Sequence, residues 1–216
     1  VDIRSSAPHV AWRETPAQPA RLWYSHIRQN GGSGAYAVID LSIEPGEPGS
    51  GFVFENLTFG GALPSVYVAA VEKGARDAST SGISDPVTDV KVILHDGKTH
   101  VNDSNAMAFE AAGTLAFKEA LDKAGVTLLE PRVLVDVTVP ENTLGLVLGD
   151  LAARGASIKN LISGTDTVVQ ADVALRRMFG YVATLRSITQ GRGGFAMTAN
   201  GYAPAMSDAK AARKSR

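Results

Sequence analysis

The sequence predicts an α+β protein of two domains. Three observations carry this. Apolar residues alternate at strand period through much of the first half, two helical stripes interrupt that alternation, and after Glu130-Pro131 the pattern restarts as strand-helix-strand-strand-helix-strand. The last order is that of a split βαβ, or ferredoxin-like, sandwich. A chain of 216 residues accommodates two domains of roughly 100 residues. With 44% hydrophobic and 20% charged residues, each half can build its own core.

Val10 and Trp12, between Pro8 and Pro16, predict a short edge strand. Strands over 21–28 and 36–43 flank Gly31-Gly32-Ser33-Gly34, which reads as a hairpin tip. A turn-rich loop over 45–51 precedes a strand over 52–59. Pro64-Ser65 opens a helix whose Val68, Val71, Ala75 and Ala78 face inward, opposite Glu72, Lys73, Arg76 and Asp77. A polar loop over 81–86 follows. Strands over 87–95 and 99–101 are expected to form a tight hairpin across Asp96-Gly97. Asp103-Ser104 can cap the next helix, over 105–123, whose apolar face is read as Met107, Ala108, Ala111, Ala112, Leu115 and Ala116, with Gly125 as its stop.

In the second half Val133, Val135, Val137 and Val139 alternate with polar or outward residues, giving a strand with one buried face. Leu144, Val147, Leu148 and Leu151 form a helical stripe closed by Gly155. Strands over 157–162 and 167–173 meet across Gly164-Thr165. A helix over 175–187 and a strand over 195–202 complete the order. The tail from Ser207 carries Lys210, Arg213, Lys214 and Arg216 with no large apolar side chain, and is expected to be a disordered basic end.

Twenty-one Lys and Arg against 22 Asp and Glu give a net charge of -1, so any nucleic-acid contact must use local patches. The absence of cysteine excludes a disulfide framework and thiolate metal sites, and accords with a cytoplasmic setting. No apolar run approaches the ~20 residues of a membrane span. The start at Val1 suggests a fragment or a processed chain. His9, His26, His95 and His100 lack metal-ligand spacing, so no metal site is expected.

Gly97-Lys98-Thr99 fails as a phosphate-binding loop, because the first glycine of G-x-x-x-x-G-K-[ST] would fall at Val92. Gly31, Gly32 and Gly34 lie between strands, so a plain turn is the better reading than a phosphate cradle. Arg186, Gln190 and Arg192 surround Gly191 and Gly193-Gly194. Arginines can grip phosphate and glycines permit close approach, whereas basic residues answering a helix C-terminus are the structural alternative. Arg176-Arg177 reads as a solvated face. Phe179 and Tyr181, two apart, cannot share a helical face, so one can pack inside while the other is open to stacking.

Met178-Phe179-Gly180-Tyr181, Leu185-Arg186-Ser187 and Thr189-Gln190-Gly191-Arg192-Gly193 together resemble the last domain of translation elongation factor G and its relatives. Trp12-Arg13-Glu14-Thr15 is similar to that family's Y-R-E-T. Ile27-Arg28-Gln29 with Gly31-Gly32 is similar to I-R-Q-x-G-G-R-G-Q-Y-G. Asp96-Gly97, His100 and Asp103-Ser104 resemble D-G-S-x-H-x-V-D-S-S, and Leu129-Glu130-Pro131 resembles the L-E-P that opens the last domain.

The resemblance implies that residues 1–128 are a fourth domain of ribosomal protein S5 domain 2-like fold. Residues 129–205 would be a fifth, ferredoxin-like domain, followed by the tail 206–216. It further implies a ribosome-binding C-terminal fragment of a translational GTPase, a monomer, reaching the small-subunit decoding region and the large-subunit GTPase-associated region. GTP and Mg²⁺ would belong to an N-terminal domain absent here, leaving this fragment without cofactor or enzymatic activity. The implied ribosome- or RNA-contacting residues are Gly31, Gly32, Ser33, Gly34 and Tyr36 in one tip loop, and Ser81, Gly82 and Asp85 in another. His100, and Arg186, Gln190, Gly191, Arg192 and Gly193 in the fifth domain, complete the set. Ser33 and Ala35 replace the arginine and glutamine of the family's tip, and the loop over 81–86 is shorter than the family's S-G-P-L-x-G-x-P. These departures suggest a divergent paralogue. A ribosomal protection-type factor and a stand-alone RNA- or protein-binding module are the alternatives.

Overall fold

A computed structural model describes residues 10–30 and 33–206. The expectations placed on Gly31, on Gly32 and on the tail from Ser207 lie outside the described residues. The chain forms two compact units, one built on Trp12–Leu129 and one on Glu130–Ala203. Each has its own apolar core.

The N-terminal unit contains β1 (Arg13–Pro16), β2 (Ala20–Asn30), β3 (Ser33–Pro45), β4 (Phe52–Asn56), α1 (Ser65–Ser79), β5 (Val90–Lys98) and α2 (Ala106–Ala124). Its four-stranded sheet has the order β2-β3-β5-β4. β2 and β5 both run antiparallel to β3, and β4 runs parallel to β5. Strand alternation sends Ala37, Ile39, Leu41 and Ile43 of β3, and Val90, Val92 and Leu94 of β5, onto one face. Ala70, Val71 and Ala75 of α1 and Phe109, Ala112, Ala116, Phe117 and Leu121 of α2 cover that face. This is the S5 domain 2-like β-α unit.

Three local expectations fail here, each for a tertiary reason. Asp96-Gly97 is not a hairpin turn. β5 runs on through both residues, which pair with Asp40 and Ile39, and a bulge between Asp40 and Leu41 leaves His95 as the extra residue. Gly97 is there because Leu63 packs where its Cβ would be, 2.5 Å from Leu63 Cδ1. The cap of α2 is Asn105, whose Oδ1 accepts from the Ala108 amide at 2.9 Å. Met107, assigned to the apolar face, is 80% exposed, while Phe109 and Phe117 are the buried aromatic residues of this helix.

The C-terminal unit contains most of β6 (Val126–Val139), then α3 (Leu144–Ala153), β7 (Ser157–Ile162), β8 (Thr167–Ala174), α4 (Tyr181–Thr189) and β9 (Gly194–Pro204). Strand order β9-β6-β8-β7 is that of the ferredoxin-like sandwich. Glu130-Pro131 marks a change of partner within one strand, not a new strand: residues 126–129 pair with β1 and residues 132–139 with β8. Val133, Val135, Val137 and Val139 face the core with Val147, Leu151 and Leu185. The helix expected over 175–187 is split. A short 3₁₀ turn at Leu175–Met178 ends at Phe179, and Gly180 at φ 75° reorients the chain before α4 starts. The reorientation buries Tyr181 (1% exposed) and leaves Phe179 at 38%.

Tyr181 lies edge-on to Phe195, and the Arg154 guanidinium sits 4.9 Å from its ring centroid. Its hydroxyl is buried without a hydrogen-bond partner among the described residues. Burial, aided by the charge of Asp150 and opposed by Arg154, pushes the phenol up to about 12. A phenol whose folded pKa is raised keeps its proton longer in the folded chain than in the unfolded one, so folding stability falls as pH rises from about 10 to about 12. Tyr181→Phe is expected to raise unfolding free energy at pH 7 by about 1 kcal/mol, since it removes an unsatisfied buried hydroxyl. It should also flatten the decline above pH 10. Urea denaturation of both chains at pH 7 and pH 11 measures the two effects.

Candidate functional site

In the N-terminal unit, residues at the hairpin end of the sheet are tied to the loop joining β5 to α2. The Tyr36 amide donates to the Asp103 carbonyl at 2.8 Å, and Ser104 Oγ donates to the Tyr36 carbonyl at 2.7 Å. The same Oγ accepts from the His100 amide at 2.8 Å, while His100 Nδ1 lies 2.9 Å from Asp103 Oδ2. The Tyr36 and His100 rings are 5.8 Å apart. A side chain at Gly34 would strike Asp103 Oδ1. Gly34, Tyr36 and His100 are therefore brought together, and Asp103 and Ser104, first read as a helix cap, are the residues that join them. Val101, 98% exposed, lies in that loop and not in the strand expected over 99–101, because β5 ends at Lys98.

Ser81, Gly82 and Asp85 lie elsewhere. Their loop leads through Val87 to the start of β5, which pairs with Pro45 at the end of β3 away from the hairpin. It wraps the Glu14 carboxylate, which is 1% exposed and accepts from the Ile83 amide at 2.8 Å and the Ser84 amide at 3.2 Å. A Cβ on Gly82 would come within 2.7 Å of Glu14 Oε2. The second loop of the hairpin end is accordingly that over 99–105, and the loop over 81–86 is built around a buried carboxylate. The side chain of Ser33 is not among those described.

In the C-terminal unit, α4 stops at Thr189, and Gln190 (φ 51°) turns the chain. The Gly191 amide donates to the Arg186 carbonyl at 2.9 Å, and the Arg192 amide to the Thr189 carbonyl at 3.1 Å. Gly193 donates to Thr189 Oγ1 at 2.9 Å, and that fully buried hydroxyl donates to the Leu185 carbonyl at 2.7 Å. These amides are consumed inside the turn, so they form no anion cradle. What faces solvent is the side chains of Arg186, Gln190 and Arg192.

Charge pairing separates these arginines from their neighbours. Arg132 holds Asp172 at 2.9 Å, Arg154 holds Asp150 at 2.8 Å, and Arg176, read as a solvated residue, holds buried Glu130 at 2.7 Å. Burial alone would raise the Asp172 pKa, but hydrogen bonds from Arg132 and Asn200 and the charges of Arg132 and Lys159 bring it below the usual carboxylate value. Among the described residues neither Arg186 nor Arg192 meets a carboxylate. Arg186 also occupies the last turn of α4, where its charge suits the helix dipole.

The fold and these surfaces define a class: a tandem of an S5 domain 2-like unit and a ferredoxin-like unit, each with a loop end exposing polar and basic groups. Residues 8–125 match the family model described as elongation factor G, domain IV, and residues 127–213 match that of the elongation factor G C-terminus. The chain is 45% identical over 207 residues to "Elongation factor G 2" of Vibrio parahaemolyticus, covering 94% of this chain and 30% of that protein. It is 44% identical to "Elongation factor G 1" of Pseudoalteromonas atlantica over the same shares. A crystal structure from Thermus thermophilus superposes with a TM-score of 0.87 at 34% identity, covering 94% of this chain and 31% of that one. The chain belongs to the elongation factor G family, and it spans about 30% of the length of the curated relatives it matches.

Proposed function

We propose that this chain is the ribosome-docking, C-terminal part of an elongation factor G-like translational GTPase. The C-terminal unit grips large-subunit RNA through Arg186 and Arg192, and the hairpin end of the N-terminal unit enters the small-subunit decoding region during GTP-dependent translocation or a related step. The carrying observation is the contrast in charge pairing: Arg132, Arg154 and Arg176 of the same unit are each held by a carboxylate, whereas these two stand exposed on a turn whose backbone is locked by Thr189. A rigid turn presenting two free guanidinium groups suits phosphate recognition.

GTP and Mg²⁺ belong to another part of the parent protein in this reading. The residues present do not fit them, because Gly97 and Lys98 are consecutive residues of β5 and not a phosphate loop. Replacement of the family's tip arginine and glutamine by Ser33 and Ala35 favours a divergent paralogue, which docks in the usual way and acts differently at the decoding region.

Arg192→Ala is expected to weaken binding to ribosomes about tenfold or more, by the loss of a charge-assisted contact. It should also lower the salt dependence by about one phosphate equivalent. Co-sedimentation with ribosomes across a salt series measures both, and unchanged affinity would remove the role given to this turn. A translocation assay with the full-length parent tests the paralogue reading, which robust translocation would refute.

A further inference from the structure

Between β2 and α2 lies a groove of about 540 Å³, within the ~300–1,000 Å³ of small-ligand pockets. It opens because the residues facing it are small: Ala35, Ala108 and Ala111. Inner-facing residues of β2 run Leu22, Tyr24, His26, Arg28 toward the hairpin, so the face passes from core to cation as it leaves the helices. His26 is 8% exposed and lines the groove. Among the described residues no group hydrogen-bonds to its imidazole. Burial, and secondarily the charge of Arg28, lower its pKa, so the ring is neutral at pH 7 and offers one donor and one acceptor.

The other polar groups of the groove sort clearly. Glu110 is held by Lys73, Thr114 Oγ1 donates to the Gly74 carbonyl, and Asn105 Oδ1 caps α2. Arg28 at the mouth meets no carboxylate among the described residues. Met107 and Leu115 supply an apolar wall. The combination is an open groove with an apolar wall on α2, a buried neutral donor-acceptor ring, and an exposed guanidinium beside it.

We propose that this groove binds one unpaired nucleotide of single-stranded RNA, with the base between Met107 and Leu115, its edge on His26, and its phosphate on Arg28. Bases splayed from single strands are read in this way, by contact with the ring face and hydrogen bonds to the edge. The assignment rests on the reading that the hairpin end of this unit meets RNA. It is separate from the turn bearing Arg186 and Arg192. Ala35 stands where the family motif carries glutamine, and Ala35↔Arg28 pairing puts that position on the groove face. A glutamine there would fill the slot.

The test is NMR titration of the 216-residue chain, following the Met107 methyl and the His26 ring. The probes are adenosine 5′-monophosphate, a five-nucleotide adenosine RNA, inorganic phosphate and an acetylated tripeptide carboxylate. Saturable shifts are expected with the RNA, and weaker ones with the mononucleotide. Ala35→Gln and Ala111→Leu should each cut RNA affinity at least tenfold while the amide fingerprint stays native. Both substitutions are on partly exposed positions, and either one alone suffices. The proposal is overturned if the RNA moves neither residue, if both folded variants bind as the parent does, or if phosphate or the peptide alone reproduces the shifts. It is also overturned if only the free mononucleotide binds. Ribosome co-sedimentation keeps the two readings apart. A chain that sediments with ribosomes but ignores the RNA loses the groove assignment alone, and one that binds the RNA in the groove but does not sediment loses the docking assignment alone.

Discussion

Gly74→Ala is expected to destabilise the N-terminal unit by about 2 kcal/mol or more, although the same change in an exposed helix stabilises. α1 and α2 cross with Gly74 and Gly113 against each other's backbone. A Cβ at Gly74 would overlap the Glu110 carbonyl oxygen, and one at Gly113 would overlap that of Val71. Neither obstacle is a side chain that can swing aside, so the helices must separate. Overpacking of this sort costs about 1–3 kcal/mol, and losing the contact of Thr114 Oγ1 with the Gly74 carbonyl adds to it. Better helix propensity returns only about 1 kcal/mol. Gly145→Ala and Gly149→Ala in α3 are the controls. Nothing lies within 4 Å of either added methyl, so each should stabilise by about 0.5–1 kcal/mol. Thermal and urea unfolding of the three variants should give opposite signs. A neutral Gly74→Ala would show that the helix contact is looser than described.

Arg176→Leu carries the second large effect, about 3–5 kcal/mol in the C-terminal unit, because it strips the guanidinium from Glu130, which is 1% exposed. Arg176 sits in the short turn after β8 and Glu130 in β6, and their side chains meet at 2.7 Å. Pairing of two charges in such a site returns little beyond their desolvation, so removing both should cost less than removing one. Glu130→Leu combined with Arg176→Leu is therefore expected to recover most of the loss. Hydrogen exchange of the β6 and β8 amides localises the change. An Arg176→Leu chain as stable as the parent would mean that solvent reaches Glu130 freely.

Much of this fold is legible residue by residue. Alternating valines from Val133 to Val139 announce β6 and its buried face, Leu144, Val147, Leu148 and Leu151 announce α3, and Gly125 and Gly155 mark helix stops. These signals are local, since side-chain period and glycine dihedrals need no partner. The candidate turn was legible too, in Arg186, Gln190 and Arg192 about their glycines. What stayed hidden depends on residues distant in sequence. Gly97 reads as a turn until Leu63 is seen on top of it, and Asp103-Ser104 reads as a helix cap until Tyr36 and His100 arrive beside it.

By itself, then, the sequence determined two α+β units, most of their strands and helices, and through its motifs the elongation factor G family. Tertiary structure alone decided that the loop over 81–86 wraps Glu14 while that over 99–105 joins the hairpin. It alone paired Arg176 and left Arg192 exposed, and it alone opened a groove beside His26. Composition and spacing fix which conformations a segment prefers. Which polar groups are satisfied, and which are left facing solvent, is set only when the segments meet.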